Sequence, residues 1–355
     1  MKVCIIGDNL TSLTLAKTLV NQGIYVDIFS NFKINNQNKN RTIGISKSNV
    51  DFFNKNILNI NKYLWNINKI EIYSQSFDNK KILNFEKKGE QLFAIIKNYE
   101  LLRYLELTLK KSKFFNIKRK KFNYELLCKN YKLVFNCDPK NPVSKKYFYK
   151  KIQKDYKSHA HTTIINHKNL LNNNIASQIF TNNGPIAFLP ISKSKTSVVY
   201  SSREKGTIDL KKYIKIYNKK YKITKINKSF SFILKSSNLR IYRHKNILAF
   251  GDLLHKIHPL AGQGFNMTLR DISIILNLIK SKLMLGLDLD DSIFSDFEKN
   301  TKHKNYIFSN GIDFVYEFFN LESKMKTKLL SQSVKILGEN KFFNKFLTKF
   351  ADKGI

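Results

Sequence analysis

Cysteine, acidic residues and long apolar runs are all scarce in this chain, and each scarcity excludes something. Cysteine occurs only at Cys4, Cys128 and Cys137. That spacing forms neither a CxxC pair nor a disulfide framework, so a reducing, cytoplasmic compartment is the default. No apolar run approaches the roughly 18–20 residues that a membrane span needs. The start, Met1-Lys2-Val3-Cys4-Ile5-Ile6-Gly7, lacks the regions of a signal peptide and reads directly as a strand. No internal repeat and no long low-complexity linker breaks the 355 residues. That length suits one large α/β unit with a smaller second one.

Acidic residues number 26 against 63 Lys+Arg, a net charge of +37. Such an excess attracts nucleic acid or an anionic membrane surface. The lysines are spread along the chain, with Asn and Ile crowding in everywhere, as AT-rich coding would produce. A compositional habit is thus the better reading, and no nucleic-acid partner is expected. Part of the excess would still help the protein sit on acidic lipid, giving peripheral contact at the inner membrane.

Residues 2–7 read as a buried strand, Leu10 to Val20 as a helix capped near Gly23, and Ile24 to Phe29 as a second strand. This βαβ opening predicts a parallel sheet. Residues 31–40 read as a loop and Val50 to Leu64 as a helix. Ile70–Ser74 and Lys81–Phe85 read as strands of a second sheet, and Glu100 to Leu109 as an amphipathic helix. Between about 158 and 201 the texture turns to β, punctuated by Gly184-Pro185 and Pro190. Ile247–Phe250 is again a buried strand, Asn266 to Leu285 a long helix, and residues 293–350 helices rich in Phe, Leu and Lys. The β-rich middle therefore reads as an insertion into a dinucleotide-binding unit that resumes near residue 241.

Two turns carry candidate chemistry. After the first strand, a dinucleotide-binding turn wants Gly-x-Gly-x-x-Gly. The chain offers Gly7-Asp8-Asn9-Leu10-Thr11-Ser12, in which only Gly7 survives. Asn9 is a tolerable substitute because Asn can adopt positive φ. Ser12 is small but carries a Cβ. Ser30 stands at the end of the second strand, where an acidic residue usually holds ribose hydroxyls. An ordinary βαβ turn with no ligand explains this stretch alone at least as well.

The second turn is stronger. A buried strand ends in Gly251-Asp252, a loop carries His255, His258 and Pro259, and Ala261-Gly262-Gln263-Gly264-Phe265-Asn266 opens a helix. A carboxylate at a strand end can hold a sugar or ribityl hydroxyl. Glycines let main-chain N–H groups face a ligand, and the helix N-terminus adds partial positive charge. So many special residues in a short span disfavour a ligand-free helix start.

This stretch, continuing to Arg270-Asp271, resembles the second FAD motif of the group A flavoprotein aromatic hydroxylases, closest to the ubiquinone-biosynthesis hydroxylases. Arg41-Thr42-Ile43-Gly44-Ile45-Ser46 is similar to that branch's Arg-x-Ile-Ala-Leu-Ser segment. Gly184-Pro185-Ile186-Ala187-Phe188-Leu189-Pro190 is similar to its Gly-Pro-x-Ala-x-Leu-Pro segment. Lys132 to Asp138 resembles the strand leading to its Asp-Gly motif.

The resemblance implies a Rossmann-like FAD-binding domain (1–65, 98–150 and 241–290), an inserted β-rich substrate domain (66–97 and 151–240) and a C-terminal helical segment (291–355). It also implies roles. Gly7, Asn9, Ser12 and Ser30 would meet the ADP half, Asp138 would lie beside it, and Asp252 would bind the ribityl chain. Pro259, Gly262, Gly264, Phe265 and Asn266 would line the isoalloxazine, with Arg41 as a cationic contact. NAD(P)H would be the electron donor and O2 the oxygen source for hydroxylating a polyprenylated phenol, with the flavin doing the chemistry and no catalytic triad needed. A quinone-biosynthesis complex is the implied setting. The chain departs from the family at Asn9, Ser12, Ser30, Pro139 and Thr268. Two other readings follow: a hydroxylase or dehydrogenase of a soluble aromatic, and a flavin-poor accessory subunit. No metal is expected, since His159, His161, His255 and His258 lack a ligand cluster. The apolar residues of Phe314–Phe350 read either as helix packing or as membrane-surface attachment.

Overall fold

The computed structural model describes residues 1–31, 40–86, 90–204, 208–325 and 327–354. The expected loop at 31–40 lies, between its two ends, outside these. The chain begins β1 (Lys2–Ile6), α1 (Leu10–Val20), β2 (Tyr25–Ser30), β3 (Thr42–Ser46), α2 (Lys47–Asn56), β4 (Trp65–Ile67). It continues β5 (Lys69–Ser74), β6 (Lys80–Glu86), β7 (Phe93–Lys97), α3 (Asn98–Leu109), β8 (Phe115–Arg119), α4 (Tyr124–Lys129), β9 (Val134–Asn136), α5 (Pro142–Tyr147). The middle holds β10 (Lys151–His167), β11 (Ile175–Thr181), β12 (Gly184–Ser192), β13 (Lys195–Ser202), α6 (Leu210–Tyr217), β14 (Ile223–Ile226) and β15 (Phe230–Leu239). Last come β16 (Arg243–His244), β17 (Ile247–Ala249), β18 (His255–Lys256), α7 (Gln263–Met284), α8 (Ser292–Met325), α9 (Leu329–Glu339) and α10 (Lys341–Lys353).

Three sheets result. A six-stranded sheet runs β16-β17-β9-β1-β2-β8, parallel except at β16. Its central strands are buried on both faces, which is why Val3-Cys4-Ile5-Ile6 reads as an unbroken apolar run. The chain leaves β1 toward β2 on one side and returns toward β9 on the other. Such a switch point opens a crevice at the carboxyl ends of the strands, where α/β proteins bind ligands. α1 is buried at ten of its eleven residues, pressed between this sheet and α3 and α7. Its buried polar positions are accordingly small hydroxyl residues, with Thr14 and Thr18 bonding back to the helix carbonyls of Leu10 and Thr14.

A nine-stranded, mostly antiparallel sheet runs β18-β15-β10-β13-β12-β11-β5-β6, with β14 on β10. Between the two lies a small antiparallel sheet, β3-β7-β4. This sheet was not legible as such: Phe93–Lys97 shows no turn signals, and Thr42–Ser46 read only as a motif. The helix expected over 50–64 is shorter, ending at Asn56 and giving way to a single turn at Asn61–Tyr63. The long helix starts at Gln263, three residues before the expected Asn266, because Gly262 adopts the left-handed conformation (φ +64°) and begins it there. α9 packs on β6, and α10 folds back on α2 and β3. Among the described residues no helix is long and apolar enough to cross a membrane.

Candidate active site

The first turn is held from both sides. Gly7 has φ +101°, and a Cβ there would stand 3.2 Å from the Asp138 Cβ, so glycine is required twice over. Asn9 does not replace a left-handed glycine. Its backbone is extended (φ −79°, ψ 179°), and its side chain caps α1. Asn9 Oδ1 accepts from the Ser12 amide at 3.0 Å, and Asn9 Nδ2 donates to the Cys137 carbonyl at 2.8 Å. The expectation of positive φ is thus corrected: the residue ties the turn to β9. Ser12 is fully buried, and its hydroxyl donates back to Asn9 Oδ1 at 3.2 Å.

Ser30 is buried at the end of β2, paired in register with Arg119 of β8. Arg119 Nε meets the buried Asp8 carboxylate at 2.9 Å, and its Nη2 meets Glu106 at 3.1 Å. This ion network, unnoticed in the sequence, supplies charge where an acidic residue at position 30 was expected. Its members lie up to 111 residues apart, and only the β2–β8 register joins them.

Across the crevice, Asp138 Oδ1 accepts from the Lys140 amide at 2.9 Å, and its carbonyl accepts from Asn141 Nδ2 at 2.8 Å. Pro139 sits inside this turn, where a missing N–H costs no bond. The Cys137 thiol is pushed up to about 12 by burial, with Asp138 and Asp252 adding to the effect. It stays protonated, and both carboxylates border it. Asp252 is exposed just past the end of β17. Gly251 beside it has φ +60°, and a Cβ there would come within 2.7 Å of Thr11.

The glycine-rich loop forms the other half. Gly262 begins α7 with no side chain capping its first turn. A Cβ on Gly264 would meet only Ile257, at 3.9 Å. Opposite stands Gly44 of β3: a Cβ on Gly262 would lie 3.5 Å from its amide nitrogen. The Phe93 ring lies so close on Gly44 that a Cβ there would come within 2.0 Å of it. Pro259 is half-buried. Phe265 packs into the main core. Asn266 clamps the loop: its Oδ1 accepts from the Ser46 amide at 2.9 Å, and its Nδ2 donates to the Gly44 and Gly262 carbonyls at 3.1 and 3.2 Å. Arg41 is exposed ahead of β3, and its carbonyl accepts from the Asn98 amide.

The loop histidines are internal. His255 Nε2 lies 2.5 Å from Asp271 Oδ2, and Asn305 donates to the other oxygen, tying β18, α7 and α8 together. His258 is buried against Tyr156 and Tyr316, and burial lowers its pKa to about 3. Arg270 donates to Gln263 and to the Ala351 carbonyl of α10. Burial lowers it to about 10. His159 and His161 do share one face of β10, with rings 6.4 Å apart. The structure thus brings Gly7 and Asn9 against the Cys137–Asp138 turn, and Gly262 against Gly44, while Ser12 and Ser30 are buried. Phe265 and Asn266 turn into the protein.

No protein-family model matches the chain. It is 20% identical over 275 residues to the mitochondrial ubiquinone biosynthesis monooxygenase COQ6 of Schizosaccharomyces pombe, covering 63% of this chain and 57% of that one. It is 26% identical over 156 residues to the 3-demethoxyubiquinol 3-hydroxylase of Escherichia coli, covering 40% and 39%. The matched region is thus little more than half of the first relative and less of the second. Among solved structures, p-nitrophenol 4-monooxygenase PnpA from Pseudomonas putida superposes with a TM-score of 0.76 at 9% identity, over 99% of this chain and 98% of that one. Klebsiella pneumoniae HpxO complexed with FAD and uric acid gives 0.75 at 10%, over 99% and 97%. The chain is related in sequence to the ubiquinone-biosynthesis hydroxylases and carries the fold of the FAD-dependent aromatic monooxygenases.

Proposed function

We propose that this protein is an FAD-dependent monooxygenase that hydroxylates the ring of a polyprenyl phenol in ubiquinone biosynthesis, with NAD(P)H and O2 as co-substrates. One observation carries the reading. The N-terminus of α7 carries no side-chain cap, and left-handed Gly262 lies against Gly44 of β3, so that main chain rather than side chain borders this helix start. Main-chain N–H groups and partial positive charge there suit the electron-rich pyrimidine edge of a flavin. When bound, FAD supplies the redox chemistry. The chain's part is binding and exclusion of water. The Gly7 turn admits the diphosphate closely, Asp252 accepts from ribityl hydroxyls, and Arg41 offers a positive charge. Phe93 and the nine-stranded sheet keep the ring dry.

A second reading, a flavin-poor subunit of a quinone-synthesis complex, draws on Asp8. Its buried carboxylate sits on the turn that a diphosphate would approach, although Arg119 offsets it. The absorption spectrum of the purified protein, with and without added FAD, separates the two. Bound flavin bands are expected, and Asp252→Ala should weaken affinity about tenfold through loss of one charge-assisted hydrogen bond to the ribityl chain. A protein that takes up no FAD yet restores quinone synthesis would establish the subunit. A strain lacking the protein should accumulate an under-hydroxylated quinone precursor; a soluble aromatic substrate would leave quinones unchanged. We extend the proposal to peripheral contact with acidic lipid, where such a substrate resides.

A further inference from the structure

The start of α7 and the end of β3 are also joined from outside, by the last turn of α10. On the β3 side, Ser46 Oγ and Ser48 Oγ donate to the Asp352 carbonyl at 2.9 and 3.0 Å. The Ser48 amide donates to Asp352 Oδ1 at 2.9 Å. Helix α2 has no capping side chain of its own and no acidic residue in its first turn. Asp352 supplies both, as a cap and as a negative charge, from 304 residues away. On the α7 side, Arg270 Nη2 donates to the Ala351 carbonyl at 3.3 Å and to Gln263, the first residue of that helix, at 3.2 Å. Beyond α10 the chain runs so near Arg270 that a Cβ on Gly354 would stand 2.8 Å from its Nη1.

These bonds end on the Asn266 clamp. Ser46, held by its hydroxyl to Asp352, gives its amide to Asn266 Oδ1 at 2.9 Å. Asn49 donates to Ser46 Oγ and to Asn266 Oδ1, both at 3.0 Å. Burial lowers the Arg270 pKa to about 10, and the charges of Asp271 and Asp352 oppose that shift. One carboxylate thus serves both sides. Little else seats α10. No residue of the helix is buried, and Phe342 is 82% exposed. Phe350 stacks on Phe308 of α8 with ring centroids 5.0 Å apart. We propose that the last turn of α10 is a positioning element for the flavin-facing start of α7. Asp352 and Ala351 fasten that start to the end of β3 from outside, as Asn266 does from within. They thereby fix where the main-chain groups of Gly262 to Phe265 stand. Asp352 acts through Ser46 and Ser48, and Ala351 through Arg270. The inference rests on the FAD reading for its ligand, but not for the fastening.

The test compares the full-length protein with its Asp352→Ala and Asp352→Asn variants. Hydrogen exchange is measured without flavin, and FAD affinity by quenching of flavin fluorescence. Alanine removes the cap, whereas asparagine keeps an oxygen for the Ser48 amide. Asp352→Ala should speed exchange across residues 262–268 about fivefold and weaken FAD binding about fivefold, the loss expected for one helix cap. Asp352→Asn should recover most of both, and exchange in β2 should stay unchanged. Unchanged exchange at 262–268, a rise of the same size in β2, or faster exchange with FAD affinity intact overturns the proposal. Ser48→Ala, which leaves α10 untouched, repeats the measurement should Asp352→Ala fold poorly. Faster local exchange in a protein that takes up no FAD would overturn the FAD reading and leave the fastening standing.

Discussion

His258 illustrates how one buried side chain sets a property of the whole chain. Its ring sits between Tyr156 and Tyr316, and its Nδ1 accepts from the Leu260 amide at 3.1 Å. Burial disfavours the charged form and holds the pKa at about 3, against 6.5 in the open chain. Between those values the unfolded chain binds the extra proton and the folded one does not. Stability from this residue is therefore complete above about pH 6.5 and lost as pH falls below it, by about 1.4 kcal/mol per unit. Lys154 and Glu317 reach the same ring with opposite sign. Urea midpoints at about pH 7.5 and 5 should differ by about 2 kcal/mol in stability. His258→Phe should remove most of that difference. An unchanged pH dependence would mean that the ring is already open to solvent. Its loop was found in the sequence through its glycines, yet nothing there distinguished a buried histidine from a ligand-facing one. That distinction is made by Tyr316, 58 residues away on α8.

At the scale of elements, α7 is joined to β3 by a single amide. Asn266 satisfies the Ser46 amide and the Gly44 carbonyl, and Asn49 donates to its Oδ1 at 3.0 Å. Asn266→Ala leaves those groups buried and unpaired, at about 2–4 kcal/mol. It should also loosen Gly262 against Gly44. Thermal unfolding would register the first effect and flavin retention the second. A variant as stable as the native chain would show that these groups find other partners. The sequence located α7, its glycines and the strand ending in Gly251 because these rest on local rules: period, turn chemistry and left-handed backbone. It did not yield the β3-β7-β4 sheet or the Asp8–Arg119–Glu106 network. Each depends on which strands lie side by side, and strand order has no local signal. Asn9 lies between these cases. Its place in the motif was legible, but its work as a helix cap bonded to Cys137 needed the β1–β9 pairing.

For the molecule as a whole, charge is the property that the fold leaves unexplained. A net charge of +37 exceeds what the ion pairs consume, since 63 basic residues face 26 acidic ones. Self-repulsion on this scale weakens the compact state, so an opposite charge outside the molecule would offset it. The long helix α8 adds an apolar element to the same surface. Phe314, Leu321 and Met325 are exposed on it at helical spacing, with Phe318 half-buried between them. Lys324 and Lys328 lie close by in sequence. A lipid-dissolved substrate would be met most readily by a protein held at an anionic surface. Sedimentation with vesicles should therefore show binding to acidic but not to neutral lipid. Screening lengths shorten from about 10 Å at 0.1 M salt to about 3 Å at 1 M, so release should follow across that range. Phe314→Ser with Leu321→Ser should weaken binding at a given salt while keeping its salt dependence, because apolar insertion and charge attraction add separately. Equal binding to neutral vesicles, or none to either, would assign the charge to the coding habit suggested by the even spread of lysines.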